Sequence, residues 1–315
     1  MVDLQGVLRR AIIAASHNPD LARLARRHGM RLGASRFVAG ETLDGCVTAL
    51  RALAARGFVT NTTLLGESVT DAATAERIVA TYLTILDRIA AEGLPTNPSV
   101  KLTHLGLDVG GVPGSGEELA YRNIARLAAH ARARGNFVRI DMEDSPRVDP
   151  TLRIYRRLRA EGIENVGIVV QSYLYRTERD VRELLPLRPN IRVVKGAYLE
   201  PPSVAFPRKA DVDRNYLTLA ELLLTGEGDT AIATHDDRIV SRVIALTEER
   251  AIPRSRFEFQ MLYGVRPRLQ ADLFARGFRV LIATPYGPDW YPYLMRRLAE
   301  RPANLFFVLR NLLRG

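Results

Sequence analysis

Eight short runs rich in β-branched residues recur along this 315-residue chain, and a stretch with helical spacing separates each from the next. The runs are FVTNTTLLGE, SVKLTHLGL, FVRIDME, VGIVVQS, IRVVKGAY, TAIATHD, FEFQML and FRVLIAT. Between them, stretches such as DAATAERIVATYLTILDRIAAEG and GEELAYRNIARLAAHARARG repeat apolar residues every three or four positions, the period of one helix face. Parallel strands joined by helices cross over right-handed, and eight such units over roughly 250 residues are the signature of a (β/α)8 barrel. We therefore expect an α/β fold of this kind over residues 56–315, with a doubly wound sheet as the competing arrangement. Residues 1–55 read as an N-terminal α-helical arm, in which HNPDLARLARRHG starts at a capping residue and ends on glycine. After the eighth run, Asp289 is expected to cap a helix that Pro302 stops, and Asn304 to start a last apolar helix, NLFFVLRNLL.

Composition narrows the function classes. One cysteine, Cys46, excludes a disulfide framework and a cysteine metal cluster, as expected for a protein of the cytoplasm. The five histidines, at 17, 28, 104, 130 and 235, lack the paired spacing of a zinc site, so no metal is expected. No GxGxxG opens a helix after a first strand, and neither a phosphate-binding GxxxxGK[ST] loop nor a GxSxG elbow occurs, which argues against nicotinamide, nucleoside triphosphate and serine-nucleophile chemistry. No signal peptide and no membrane span are expected. The net charge of +10 comes mostly from arginines set singly along helices with glutamates between them, which reads as a solvated basic exterior rather than a nucleic-acid groove. Weak, salt-sensitive contact with anionic lipid at the inner face of the membrane remains open.

In a (β/α)8 barrel the chemistry sits at the carboxyl ends of the strands. Polar residues in an apolar strand are costly unless paired or functional, and here nearly every strand carries one near its end: Lys101, Asp141, Gln171, Arg192 with Lys195, Thr234 with His235, and Gln260. A structural ion network could use the same residues. After the eighth strand, YLMRRLAE sets Tyr293, Arg296, Arg297 and Glu300 on one helical stripe, a fork of positive charge with its own counter-ion. A solvated helix face would look the same, but overhanging a barrel mouth the fork suits bidentate capture of a carboxylate.

Taken in order, KLTHLGLD, VRIDMED, VVQSYLYR, RVVKGAYLE, ATHD, FQMLYGV and PYGPDWYPYLMRRLAE resemble the flavin-dependent proline dehydrogenase family, in its monofunctional bacterial form. The resemblance runs from about residue 55 to the C-terminus. It implies oxidation of L-proline, or a related secondary-amine amino acid such as hydroxyproline, to the cyclic imine by hydride transfer to FAD, with a quinone or similar group accepting the electrons. By the same resemblance Asp141 and Arg192 are catalytic-site residues, and Met142, Gln171, Arg192, Lys195, Gly196, Ala197, Thr234 and His235 contact the flavin. Lys101, Tyr198, Arg296 and Arg297 would bind the substrate, with Glu300 steadying the arginine pair. A lysine that forms a Schiff base, Lys101 or Lys195, is the competing enzyme class.

The chain departs from the family pattern at one informative place. Three residues before YG, where the family ordinarily carries a tyrosine bounding the substrate pocket, stands Ala283. Val193, where many relatives carry leucine, is smaller too. Compensation by a neighbour such as Tyr286 is the alternative to a changed pocket.

Overall fold

The computed structural model describes residues 33–66 and 69–300, together with Arg23 and Met30; the side chains of Arg296 and residues 298–300 lie outside the described set. Eight parallel strands close into a barrel in chain order: β1 (Val59–Leu64), β2 (Thr96–Val100), β3 (Val138–Ile140), β4 (Val166–Gln171), β5 (Ile191–Val194), β6 (Thr230–Ala233), β7 (Phe257–Leu262) and β8 (Val280–Tyr286). Closure is made by β8 on β1, in register from Val59↔Leu281 to Leu64↔Tyr286. Nine helices are described: α1 (Leu43–Ala54), α2 (Ala72–Ala91), α3 (Glu117–Arg132), α4 (Ser145–Ala160), α5 (Thr177–Leu184), α6 (Lys209–Thr225), α7 (Asp237–Glu249), α8 (Pro267–Ala275) and α9 (Trp290–Glu300). Among the described residues, no helix is long and apolar enough to cross a membrane.

Several strands are shorter than the runs that announced them. SVKLTHLGL was expected to be extended throughout, yet the strand is Thr96–Val100, and residues 102–110 follow as turns. IRVVKGAY likewise keeps only Ile191–Val194 in the sheet. In both, the ladder ends where a lysine begins: Lys101 and Lys195 stand at the first position beyond it, where a polar side chain need not be buried in the barrel. β3 is three residues long because the chain peels off at Asp141, whose N–H still donates to the Val100 carbonyl at 2.9 Å.

The main core lies between sheet and helices. On α2 the residues Val79, Tyr82, Ile85, Leu86 and Ile89, at helical spacing, are all within 2% of full burial; each contributes about 1.5–3 kcal/mol of transfer free energy. Asp71 caps this helix by accepting from Thr74 N at 2.8 Å. Helix α1, from the expected arm, seats Cys46, Leu50 and Leu53 in the same core, and Thr62 of β1 faces it, its hydroxyl 3.2 Å from Cys46 Sγ. The helix expected over HNPDLARLARRHG and the last apolar helix lie outside the described residues.

A second, smaller core sits above the barrel. Ala34, Phe37 and Val38 pack with Leu65, Trp290, Tyr291, Tyr293 and Leu294. Trp290 is wholly buried, and its indole N–H donates to Glu41 at 2.8 Å. This cluster ties α9 to the segment before α1 and fixes it over the carboxyl ends of β8 and β1.

Candidate active site

A cavity of about 480 Å³ opens at the carboxyl ends of the strands, and every strand or its following loop contributes to it. Lys101, Asp141, Met142, Gln171, Arg192, Lys195, Gly196, Ala197, Tyr198, Thr234, His235 and Arg297 all line it. The structure thus brings together twelve residues singled out from the sequence. The side chains of the other two, Arg296 and Glu300, fall outside the described residues, although α9 itself runs through both positions.

Arg192 is the centre of the barrel interior. Its Nη2 donates to Ser99 Oγ at 2.7 Å and to Asp141 Oδ1 at 3.2 Å, and the residue is 9% exposed. Its Nε is buried and finds no acceptor among the described residues, so at the cavity it has a hydrogen bond to give to a water or a ligand. Beneath it, Arg139 is also buried, donating to the Asn190 carbonyl at 3.0 Å and stacking on Phe137. Burial, and then the like charge of Arg192, bring the Arg139 guanidinium down to about 9. Two arginines inside one barrel make this interior a place for negative charge.

On the far side of the ring from β1, Lys195 is paired with Asp213 at 2.6 Å and Asp236 at 2.9 Å. Lys209, at the first turn of α6, contacts the same two carboxylates. Burial by itself would raise the Asp236 carboxyl; Lys195, Lys209 and the Arg238 N–H outweigh it and hold the group at about 2. Lys195 and Lys209 thus interlock with Asp213 and Asp236 in one ion-pair cluster at the N-terminus of a 17-residue helix, the end whose dipole favours negative charge.

Other members are fixed by the backbone. Gln171 donates through Nε2 to the Glu143 carbonyl at 2.8 Å. His235 accepts the Leu262 N–H on Nε2 at 2.9 Å, which leaves the proton of a neutral ring on Nδ1. Gly196 has φ 114°, and a Cβ there would come within 2.3 Å of the Tyr173 ring. The glycine is demanded by a protein neighbour, whatever else approaches it. At the opposite side, Arg297 lies over the Tyr293 ring at 5.4 Å, and Tyr293 lines the cavity with it.

The cavity also contains residues that the sequence did not single out, among them Asn61, Thr63, Lys209 and Asp236. Asn61 and Thr63 were hidden inside a run that reads as an ordinary strand; only the period-two alternation of β1 could have marked them as facing inward. Ser99 was invisible because a buried serine carries no pattern. Ala283 lines the cavity, so the small residue does border the site. Tyr286 does not fill in for it: that ring is 2% exposed outside the cavity lining, its hydroxyl raised above the ordinary tyrosine range by burial and by the nearby Cys46. The expectation for Val193 needs correcting, since Arg192 and Val194 line the cavity while Val193, wholly buried in the layer between barrel and helices, faces away from it.

Comparison with known proteins agrees with this geometry. The proline dehydrogenase family model matches residues 46–310. Proline dehydrogenase of Deinococcus radiodurans is 43% identical over 308 residues, 98% of either chain. Proline dehydrogenase 1 of Bacillus subtilis is 41% identical over 308 residues, covering 98% of this chain and 100% of that one. Among solved structures, proline utilization A (PutA) from Bdellovibrio bacteriovorus, inactivated by N-propargylglycine, has a TM-score of 0.82 over 93% of this chain at 23% identity. The chain spans 36% of that protein, and the likeness speaks to the fold alone. With a closed eight-stranded barrel, a polar cavity at its carboxyl end and relatives above 40% identity over nearly the whole length, the chain belongs to the proline dehydrogenase family.

Proposed function

We propose that this protein oxidises L-proline, or a cyclic secondary amino acid with additional ring substituents, to the corresponding imine by hydride transfer to FAD. The family's chemistry is proline oxidation with a flavin. The observation that carries the finer reading is one cavity with Arg297 and Lys101 on the β8–β2 side, Arg192 on its floor, and the Lys195–Lys209 edge on the β5–β6 side. A carboxylated substrate suits the first side, and an anionic, phosphate-bearing cofactor suits the second.

Arg192 Nε, buried and without an acceptor among the described residues, supports a flavin fit. Lys195, Lys209 and Gly196 would hold the cofactor alongside Gln171, Thr234 and His235. When bound, the flavin supplies the two-electron acceptor for the hydride leaving the carbon next to the ring nitrogen. Arg297, with Arg296 beside it, fixes the carboxylate and so orients that carbon. Arg192 stabilises the negative charge that accompanies hydride acceptance, and Asp141 keeps its guanidinium in place. The Schiff-base alternative is disfavoured at Lys195, since a neutral amine there would forfeit both ion pairs.

The wall at Ala283 sets the substrate range. With alanine in place of an aromatic ring there and Tyr286 outside the cavity lining, this part of the wall would admit a substrate larger than proline. Differences of one small group are worth about 1–3 kcal/mol in selectivity. The acceptor for those electrons would be a quinone or similar group rather than NAD, for which the sequence has no binding fingerprint.

The experiment is anaerobic bleaching of the purified yellow protein by proline, 4-hydroxyproline, 4-methylproline and the six-membered analogue, with the cofactor released and identified by chromatography. FAD release, bleaching by the larger substrates and a shift of relative kcat/KM toward proline in Ala283→Tyr are expected. Colourless protein, or a lysine trapped by borohydride, would overturn the flavin reading; steady NADH formation would overturn the acceptor.

A further inference from the structure

β1 turns an alternating set of side chains into the cavity: Asn61, Thr63 and Leu65 line it, whereas Thr62 between them faces α1 and gives its hydroxyl to the Thr284 carbonyl at 3.0 Å. The ladder with β8 pairs Asn61 with Ala283 and Thr63 with Pro285, and both partners also line the cavity. Residues paired in a parallel ladder point to the same face, and Thr63 stands about 6–7 Å along the strand from the Asn61–Ala283 rung. The space beside Ala283 is therefore bounded by two polar β1 side chains.

Neither is committed to the protein on that side. The Asn61 amide nitrogen donates to the Asn97 carbonyl at 3.0 Å and to Asn97 Oδ1 at 2.7 Å, and since the carbonyl can only accept, the orientation of the amide is fixed. Its Oδ1 is left without a donor among the described residues. Thr63 is half-buried at the cavity wall, and its hydroxyl makes no hydrogen bond among the described residues. A purely apolar occupant of this corner would strand both groups, at a cost that selects against it.

We propose that Thr63 is a specificity-determining residue whose hydroxyl hydrogen-bonds a ring hydroxyl of the substrate, so that the preferred substrates are hydroxylated cyclic secondary amino acids rather than merely bulkier ones. The proposal rests on the reading of Ala283 as an opened wall. That reading supplies volume, and Thr63, with Asn61 beneath it, supplies the polarity that volume alone does not.

The test compares kcat/KM for proline, the two diastereomers of 4-hydroxy-L-proline, and 4-methyl-L-proline, which has bulk without a donor, in wild type, Thr63→Val, Thr63→Ser and Ala283→Tyr. Thr63→Val is isosteric and breaks no hydrogen bond among the described residues; melting temperature and flavin content verify that the holoenzyme is intact. The expected result is a fall of about tenfold or more in the hydroxyproline-to-proline ratio in Thr63→Val, carried mainly by KM. The methylproline-to-proline ratio should hold, and Thr63→Ser should restore the hydroxyl preference. If wild type accepts methylproline as well as hydroxyproline, or Thr63→Val moves all ratios equally or not at all, the Thr63 role is wrong while the opened wall stands. If wild type rejects both larger substrates and Ala283→Tyr changes nothing, the opened wall is wrong and the Thr63 role falls with it.

Discussion

Asp141 and Arg192, separated by 51 residues of chain, meet through Asp141 Oδ1 and Arg192 Nη2 at 3.2 Å, and the same Nη2 also reaches Ser99 at 2.7 Å. One corner of the guanidinium is thereby fixed by Ser99 and Asp141, while the buried Nε has no acceptor among the described residues. Because Ser99 is wholly buried and has only a hydroxyl to offer, its contribution is open to a clean deletion. A hydrogen bond to a charged group is worth about 1.5–3 kcal/mol. Ser99→Ala should slow substrate reduction of the flavin about tenfold and lower the flavin's reduction potential, with cofactor content retained. Stopped-flow bleaching together with spectroelectrochemistry measures both, and an unaltered potential would show that Ser99 does not position the cation.

Arg297→Lys keeps a positive charge at the cavity but loses the planar fork that matches a carboxylate with two parallel bonds. The Michaelis constant for proline should rise by about 10–100-fold with flavin still bound. Steady-state kinetics at saturating acceptor measures this; an unchanged KM would return the helix to an ordinary charged face.

Asp236 makes acid stability a direct readout of the Lys195 cluster. Its folded pKa of about 2 lies below its ordinary 3.8 because the Lys195 and Lys209 ammonium groups and the Arg238 N–H outweigh burial. A depressed carboxyl stabilises the fold above its unfolded pKa, and that contribution is lost as pH falls from about 4 through 2. Each tenfold difference in proton affinity between the folded and unfolded chain is worth about 1.4 kcal/mol, so the total is of order 2 kcal/mol at most. Asp236→Asn should therefore melt several degrees below wild type at pH 6, with the gap closing as pH falls through that window. Parallel melting curves at all pH values would place the stabilisation elsewhere.

Gly196→Ala combines a positive φ of 114° with a Cβ 2.3 Å from the Tyr173 ring. Strain in that backbone region costs about 1–2 kcal/mol before the ring moves. Loss of flavin content should accompany the loss of stability, since Lys195 and Ala197 flank the displaced residue in the cavity wall. Thermal shift and bound-flavin absorbance test this; a stable, fully loaded variant would contradict it.

The barrel was legible in the sequence because its causes are local and periodic. β-branched runs make strands, three-and-four spacing makes helices, and right-handed crossovers leave few ways to arrange eight of each. The polar residues at the strand ends were legible for the same reason, being exceptions to an apolar rule: Lys101, Asp141, Gln171 and Arg192 stand out in their runs without any knowledge of contacts. What the ladder register decided could not be read in this way. Whether a residue beside a strand end faces cavity or helix depends on the pleat, which turns Val193 toward the helices and Thr63 toward the cavity. Ser99 and Asp236 acquire their importance only from partners many residues away, Arg192 at a separation of 93 and Lys195 at 41. The sequence alone determined which kinds of side chain stand at the barrel mouth, because composition and period are properties of the chain. Which of them are held, which are left open to a ligand, and how wide the wall stands at Ala283 were decided by closure of β8 on β1, since only that closure sets residues from opposite ends of the chain side by side.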